Sequence, residues 1–126
     1  MIQQQTIVKV SDNSGAKTAK CIKVLGGFKK KYAYVGDIIV VSVQKLRTRL
    51  KLNNKIKKGD IFKALIIRTK TKIKKKDGTI NKFYENSVSL LNKQQTPTGT
   101  RIIGPMSRKL KKQKFMKFAS ISAGFV

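Results

Sequence analysis

The chain has 126 residues, enough for one domain and too few for two ordinary ones. Lys and Arg total 30 against five Asp and Glu, a formal net charge of +25, while 40% of the residues are hydrophobic. That apolar fraction excludes a disordered polycation. A single cysteine, Cys21, excludes an internal disulfide or a four-cysteine zinc site, and the lack of histidine excludes serine-type triads and His-ligated metals.

Ile7-Val8-Lys9-Val10 is the first predicted strand, closed by the turn formers Asp12-Asn13-Ser14-Gly15. A second spans Ala19–Leu25 and stops at Gly26-Gly27. Val35–Val43 and Ile61–Ile67 follow, introduced by Gly36-Asp37 and Gly59-Asp60, and both are too apolar to leave one face in water. Asp77-Gly78 predicts a hairpin joining Lys70–Lys76 to Thr79–Tyr84, and Ser87–Leu91 predicts a last strand. About six short strands punctuated by glycine point to a small barrel or a sandwich. The barrel is preferred, because closure removes exposed strand edges.

Beyond Pro97 the character changes. Ser107 predicts an N-cap for a short helix over Arg108–Lys112, and Phe115, Phe118 and Ala119 share one face of a second helix. Leu110, Phe115 and Phe118 are expected to pack these helices on the barrel. The expected organisation is one mainly β domain over residues 1–126, with a barrel core over about 1–95 and an irregular, helical region over about 96–126. No apolar run approaches the ~18 residues of a membrane span. The start, Met-Ile-Gln-Gln-Gln-Thr, has neither signal-peptide nor transit-peptide character, so the protein is expected to work where it is made.

Chemistry that needs acids has little to draw on. Asp12, Asp37, Asp60 and Asp77 all sit beside Gly or Asn in turn contexts, where an aspartate bonds its own backbone two residues on. Glu85 is the other acid, and no spacing singles out a catalytic pair. No phosphate-loop motif appears. Cys21, inside an apolar strand, reads as a buried and inert small hydrophobe. An enzyme acting on acidic substrates is therefore disfavoured, and no cofactor is expected. A membrane-surface protein is disfavoured too, since it needs a long amphipathic helix and only the last short segment comes close.

The basic residues carry the signal. They come in runs: Lys29–Lys31, Lys45–Lys51, Lys55–Lys58, Lys70–Lys76 and Lys109–Lys117. Soluble monomers intersperse both signs, whereas these runs have almost no acids between them. Lys70, Lys72 and Lys74 alternate; in a strand they point the same way, about 6.6 Å per step. Like charges aligned on one face are unfavourable unless an anion lies across them, and a phosphate backbone is such an anion. Arg47 and Arg49 can present planar forks to phosphates. Tyr32 and Tyr34 follow the first lysine run; one of them is a candidate platform for an unpaired base, and the alternative is a half-buried strand residue. Lysine greatly outnumbers arginine, which suits point-charge contact to phosphates more than base-edge reading. The candidate RNA-binding set is Lys17, Lys29, Lys30, Lys31, Lys45, Arg47, Arg49, Lys51, Lys70, Lys72, Lys74, Lys75, Lys76 and Lys82.

Several blocks, in order along the whole chain, resemble one family. They include Ile2-Gln3-Gln4-Gln5-Thr6, Asp12–Lys17, Cys21-Ile22-Lys23-Val24-Leu25-Gly26-Gly27, Val35–Ile39, Lys57–Asp60 and Ala64–Lys70. Leu90-Leu91-Asn92, Gly99-Thr100-Arg101-Ile102, Gly104-Pro105 and Lys114–Lys117 continue the pattern. Together they resemble the universal large-subunit ribosomal protein of the L-fourteen family. The resemblance implies a five-stranded β-barrel with a projecting β-hairpin ribbon and short C-terminal helices. It implies a structural, non-enzymatic protein that binds large-subunit rRNA beside proteins of the L-three and L-nineteen families. It also implies an intersubunit bridge to small-subunit rRNA, with Thr100, Arg101 and Lys117 on that face, and a ribosomal silencing factor as a further partner there.

Three positions depart from the family pattern. Lys45–Asn54 is longer than the usual loop and lacks its common proline, Ser89 interrupts a run that is usually aliphatic, and Lys109 stands where bacterial relatives often carry an acid. Lys, Ile and Asn are abundant and Arg is scarce, the bias expected of an AT-rich genome. With the start of the chain as read above, this suits a protein encoded and made in a mitochondrion, with a plastid or an AT-rich bacterium as the alternatives.

Overall fold

The computed structural model describes residues 1–47, 55–111 and 113–126. Five strands close a barrel in the order β1 (Ile7–Val10), β2 (Ala16–Val24), β3 (Ile38–Leu46), β4 (Ile61–Arg68) and β7 (Ser87–Leu91). Neighbours pair antiparallel except at the closure, where β1 runs parallel to β7 through Lys9↔Ser87 and Val10↔Val88. β5 (Ile73–Lys74) and β6 (Ile80–Asn81) form a separate two-stranded ribbon.

The pleat sorts side chains between two cores. Val8, Val10, Ala19, Cys21, Ile39, Val41, Ala64, Ile66, Val88 and Leu90 are buried together inside the barrel. A five-stranded barrel is narrow, and small residues such as Ala16, Ala19, Cys21 and Ala64 suit its interior. The opposite face of β4, Leu65 and Ile67, lies under a second core made with Leu91, Ile102, Met106, Leu110 and Phe118. Burial on both faces explains why its second half, Ala64–Ile67, reads as an unbroken apolar run.

The two Gly-Asp pairs build the same turn twice. The Asp37 N–H donates to the Tyr34 carbonyl and the Asp60 N–H to the Lys57 carbonyl, at 3.1 and 3.3 Å. Gly36 and Gly59 take φ +93° and +91°, the left-handed region that glycine enters at little cost. Each turn then bonds across to the neighbouring strand: Gly36 N–H to the Ile66 carbonyl at 3.0 Å, Gly59 N–H to the Val43 carbonyl at 2.8 Å. β3 and β4 thus start from matching anchors related by a local dyad.

Several predicted bounds require correction. β2 begins at Ala16 instead of Ala19, and β3 runs Ile38–Leu46 instead of Val35–Val43, because residues 34–37 are spent in the turn. The hairpin ladder holds two residue pairs, Ile73↔Asn81 and Lys74↔Ile80, far fewer than Lys70–Lys76 against Thr79–Tyr84 would give. A lone ribbon without an apolar face is marginal, and like charges along it oppose pairing. The first predicted helix is a 3-10 turn over Arg108–Leu110, and Ser107 makes no side-chain capping bond. The second is a 3-10 turn over Gln113–Phe115 leading into α1 (Met116–Ser120). Leu110 and Phe118 are buried as expected, and Phe115 packs edge-on to Phe118 with centroids 6.4 Å apart.

Candidate nucleic-acid interface

The five acids are all engaged within the molecule. Asp12 is buried; its Oδ2 accepts from the Leu90 N–H at 2.8 Å and the Ser89 hydroxyl at 3.2 Å, and its Oδ1 accepts from Ser14 N–H and Oγ. Asp77 Oδ1 accepts from the Thr79 N–H and hydroxyl at 3.1 and 2.7 Å, and these bonds hold its carboxyl below the usual carboxylate range. Both follow the expected two-residue pattern. Asp37 and Asp60 do not: each accepts from an N–H three residues earlier, Tyr34 and Lys57, because each closes a turn instead of opening one.

Glu85 bridges two cations, Lys9 at 2.9 Å and Arg68 at 3.1 Å. Burial pushes the Glu85 carboxyl up, but hydrogen bonds from Lys9 and Ser87 and the charges of Lys9 and Arg68 outweigh it and leave the carboxyl below its ordinary range. Lys30–Asp37, at 2.8 Å, completes the three ion pairs among the described residues. Among the described residues, the acids therefore neutralise Lys9, Lys30 and Arg68 and leave the rest of the basic surface uncompensated.

Arg68 is the functional-looking arginine that is structural. It is 5% exposed at the end of β4. Its Nη1 donates to the carbonyls of Ile103 and Pro105 at 3.1 and 3.0 Å, and its Nη2 to Ser11 Oγ, Ser87 Oγ and Glu85. Burial lowers its pKa, and Glu85 offsets part of that. This residue fastens the C-terminal region to the barrel. The signal available in sequence was an arginine directly after the apolar run Ala64–Ile67.

The predicted cations fall into distinct places. Residues 70–76 keep the alternation expected of a ribbon: Lys70, Lys72, Lys74 and Lys76 are exposed, while Thr71, Ile73 and Lys75 are half-buried. The Lys75 N–H donates to the Thr79 carbonyl at 2.8 Å and the Gly78 N–H to the Lys75 carbonyl at 3.2 Å, with Gly78 at φ +83°. That is a three-residue hairpin loop with glycine in its left-handed position. Lys109, from the C-terminal region, joins Lys72, Lys74 and Tyr34 around one groove of about 220 Å³. Lys17, Lys45 and Lys82 are also exposed.

Besides the half-buried Lys75, two more candidates are drawn toward the protein. Arg47 is half-buried and donates from Nη2 to the Val10 carbonyl at 3.1 Å, so part of its fork is spent on the barrel. Lys30 is drawn inward onto Asp37, which leaves Lys29 and Lys31 as the exposed pair of that run. Arg49 and Lys51, with the rest of residues 48–54, lie outside the described residues.

Lys29, Lys30 and Lys31 meet Lys23 around a cleft of about 560 Å³, whose walls include Gln3, Gln4, Val24 and Tyr32. Beside it, Phe28 is 94% exposed, and Tyr84 near the ribbon is 93% exposed. Full burial of a Phe side chain is worth about 1.5–3 kcal/mol, a gain Phe28 forgoes. Sequence reading passed over both aromatics. The signal for Phe28 was an aromatic between Gly26-Gly27 and three lysines.

Thr100 and Arg101 are exposed and held from below by Asn13. Asn13 Oδ1 accepts from the N–H groups of Thr100 and Arg101 at 2.8 and 3.2 Å, and its Nδ2 donates to Thr100 Oγ1 at 2.7 Å. A side chain on Gly99 would meet Asn13 Oδ1 at 2.7 Å and Asp12 Cβ at 2.9 Å. The Ile102 N–H donates to the Ile121 carbonyl at 3.0 Å, which ties this segment to the turn after α1, the helix carrying exposed Lys117.

A family model described as ribosomal protein L14p/L23e matches residues 1–126, the whole chain. The chain belongs to the ribosomal protein L14p/L23e family. Membership makes it a structural protein of the large ribosomal subunit. Two of the three departures from the family pattern gain a physical setting. Ser89 is buried and uses its hydroxyl on Asp12, so the polar residue in that strand is satisfied. Lys109 adds a cation to the groove at the ribbon.

Proposed function

We propose that this protein binds large-subunit rRNA by neutralising phosphates through its lysine runs and contributes to the face that meets the small subunit during translation. The observation that carries the reading is the distribution of charge: all five acids are engaged internally, while most of the described lysines are exposed. A body of net charge +25 repels itself, and a polyanion relieves that repulsion. Lys29, Lys31, Lys70, Lys72, Lys74, Lys76, Lys17, Lys45 and Lys82 are the residues placed best for phosphates. Lys30, Lys75 and Arg47 contribute less, and Arg49 and Lys51 belong to the same proposed set.

Thr100, Arg101 and Lys117 form the proposed intersubunit face, directed at small-subunit rRNA. Proteins of the L-three and L-nineteen families are the proposed neighbours, and a ribosomal silencing factor is the proposed regulator at that face. The residue bias toward Lys, Ile and Asn supports a mitochondrial ribosome as the site of action. Sedimentation tests the assignment. The protein should travel with large subunits at low salt and leave them at high salt; a protein that stays with membranes, or at the top of the gradient, would refute it.

A further inference from the structure

We propose that Phe28 is a stacking platform for one unpaired base of an RNA, with the neighbouring lysine cleft holding the phosphates beside that nucleotide. The proposal rests on the RNA-binding reading above and adds a base-contacting site to it. The loop that presents Phe28 is fixed at three points. The Leu25 N–H donates to the Ile38 carbonyl at 3.2 Å, Lys30 pairs with Asp37 at 2.8 Å, and Ile2 and Ala33 exchange backbone bonds at 2.9 and 2.8 Å. Ile2 and Ala33 are fully buried, so the loop is anchored on the core. An aromatic held outward on such a loop keeps a π-face available without further ordering.

The surroundings suit a nucleotide. Gly26 and Gly27 precede the ring and add no side chain that could cover it. Lys29, at φ +52°, sends its Nζ to 5.4 Å from the Phe28 ring centroid and also lines the cleft. Its ammonium thus lies over one face of the ring and leaves the opposite face for a base, with a cation close by for that nucleotide's phosphate. Lys23 and Lys31 supply further cations, and Gln3 supplies a side-chain amide at the rim. Aromatics that stack bases beside cations are how proteins hold single-stranded nucleotides, and such stacking tolerates any base.

The test compares two RNA hairpins, one with a single extruded 2-aminopurine and one fully paired, binding to the full-length protein. Wild type should prefer the bulged RNA and quench its fluorescence. Phe28→Ala should weaken bulged-RNA binding about five- to a hundredfold and leave paired-RNA binding and the salt slope of both unchanged. Phe28→Tyr, which keeps a ring, should retain the preference, and heparin, a polyanion without bases, should bind both proteins alike. Salt-dependent RNA binding that ignores the bulge and Phe28 would overturn the platform while leaving phosphate neutralisation intact. Absence of salt-dependent binding to either hairpin would overturn the RNA reading and the platform together.

Discussion

Arg68 and Gly104 share one space. The guanidinium Nη1 occupies the position a side chain on residue 104 would need, and Gly104 sits at φ +85°. The arrangement lets Arg68 reach the carbonyls on either side of that glycine, Ile103 and Pro105. Gly104→Ala meets both a clash and an unfavourable backbone, and should cost about 1–3 kcal/mol in urea unfolding. Arg68→Leu should cost about 3–5 kcal/mol, because Glu85 loses a buried partner and two carbonyls lose their donor. Equal or higher stability in both variants would show that the C-terminal region is held by apolar packing alone.

Asn13 positions the proposed subunit face without forming part of it. Replacing it with Ala removes the acceptor for two N–H groups and the donor to Thr100 Oγ1. These bonds are exposed, so the loss in stability should be small, about 1 kcal/mol. Large subunits carrying Asn13→Ala should nevertheless join small subunits less tightly in sucrose gradients. Unchanged joining would separate Thr100 and Arg101 from that role.

Acid should destabilise the protein through the two carboxyls that the fold holds below their ordinary range, Glu85 and Asp77. The contribution of Glu85 is present above about pH 4.3 and is lost as pH falls through its folded value. Circular dichroism should show a fall in stability below about pH 4.3. Glu85→Gln should shrink that acid loss; an identical acid limb in the variant would assign it to other groups.

The isolated chain should be least stable at low salt. Added salt screens its like charges, and added polyphosphate should raise the melting temperature further by binding the folded state. A melting temperature that ignores both would mean that self-repulsion contributes little to stability.

Much of the architecture was legible in the sequence, and the gaps have physical causes. β1 and β7 match their predicted bounds because polar residues flank both, with Ser11–Gly15 closing β1 and Asn86 and Asn92 on either side of β7. The bounds of β2 and β3 slipped, since a strand can continue through Ala-Lys-Thr, and Tyr34–Asp37 closes a turn through side chains. The ribbon lysines were readable from their alternation. Arg68 was not, because its value depends on carbonyls some 35 residues further along the chain. Phe28 is harder to read, because aromatics are expected to bury and its flanking glycines and lysines are the one hint that this ring stays outside.

If the exposed lysines serve to neutralise phosphates, the ribbon is where their removal should be felt. Log Kd for an rRNA fragment should be measured against log salt for wild type and for the triple variant Lys72→Ala, Lys74→Ala, Lys76→Ala. The wild-type dependence should be steep and the variant slope flatter by up to about three units. Identical slopes would contradict that role.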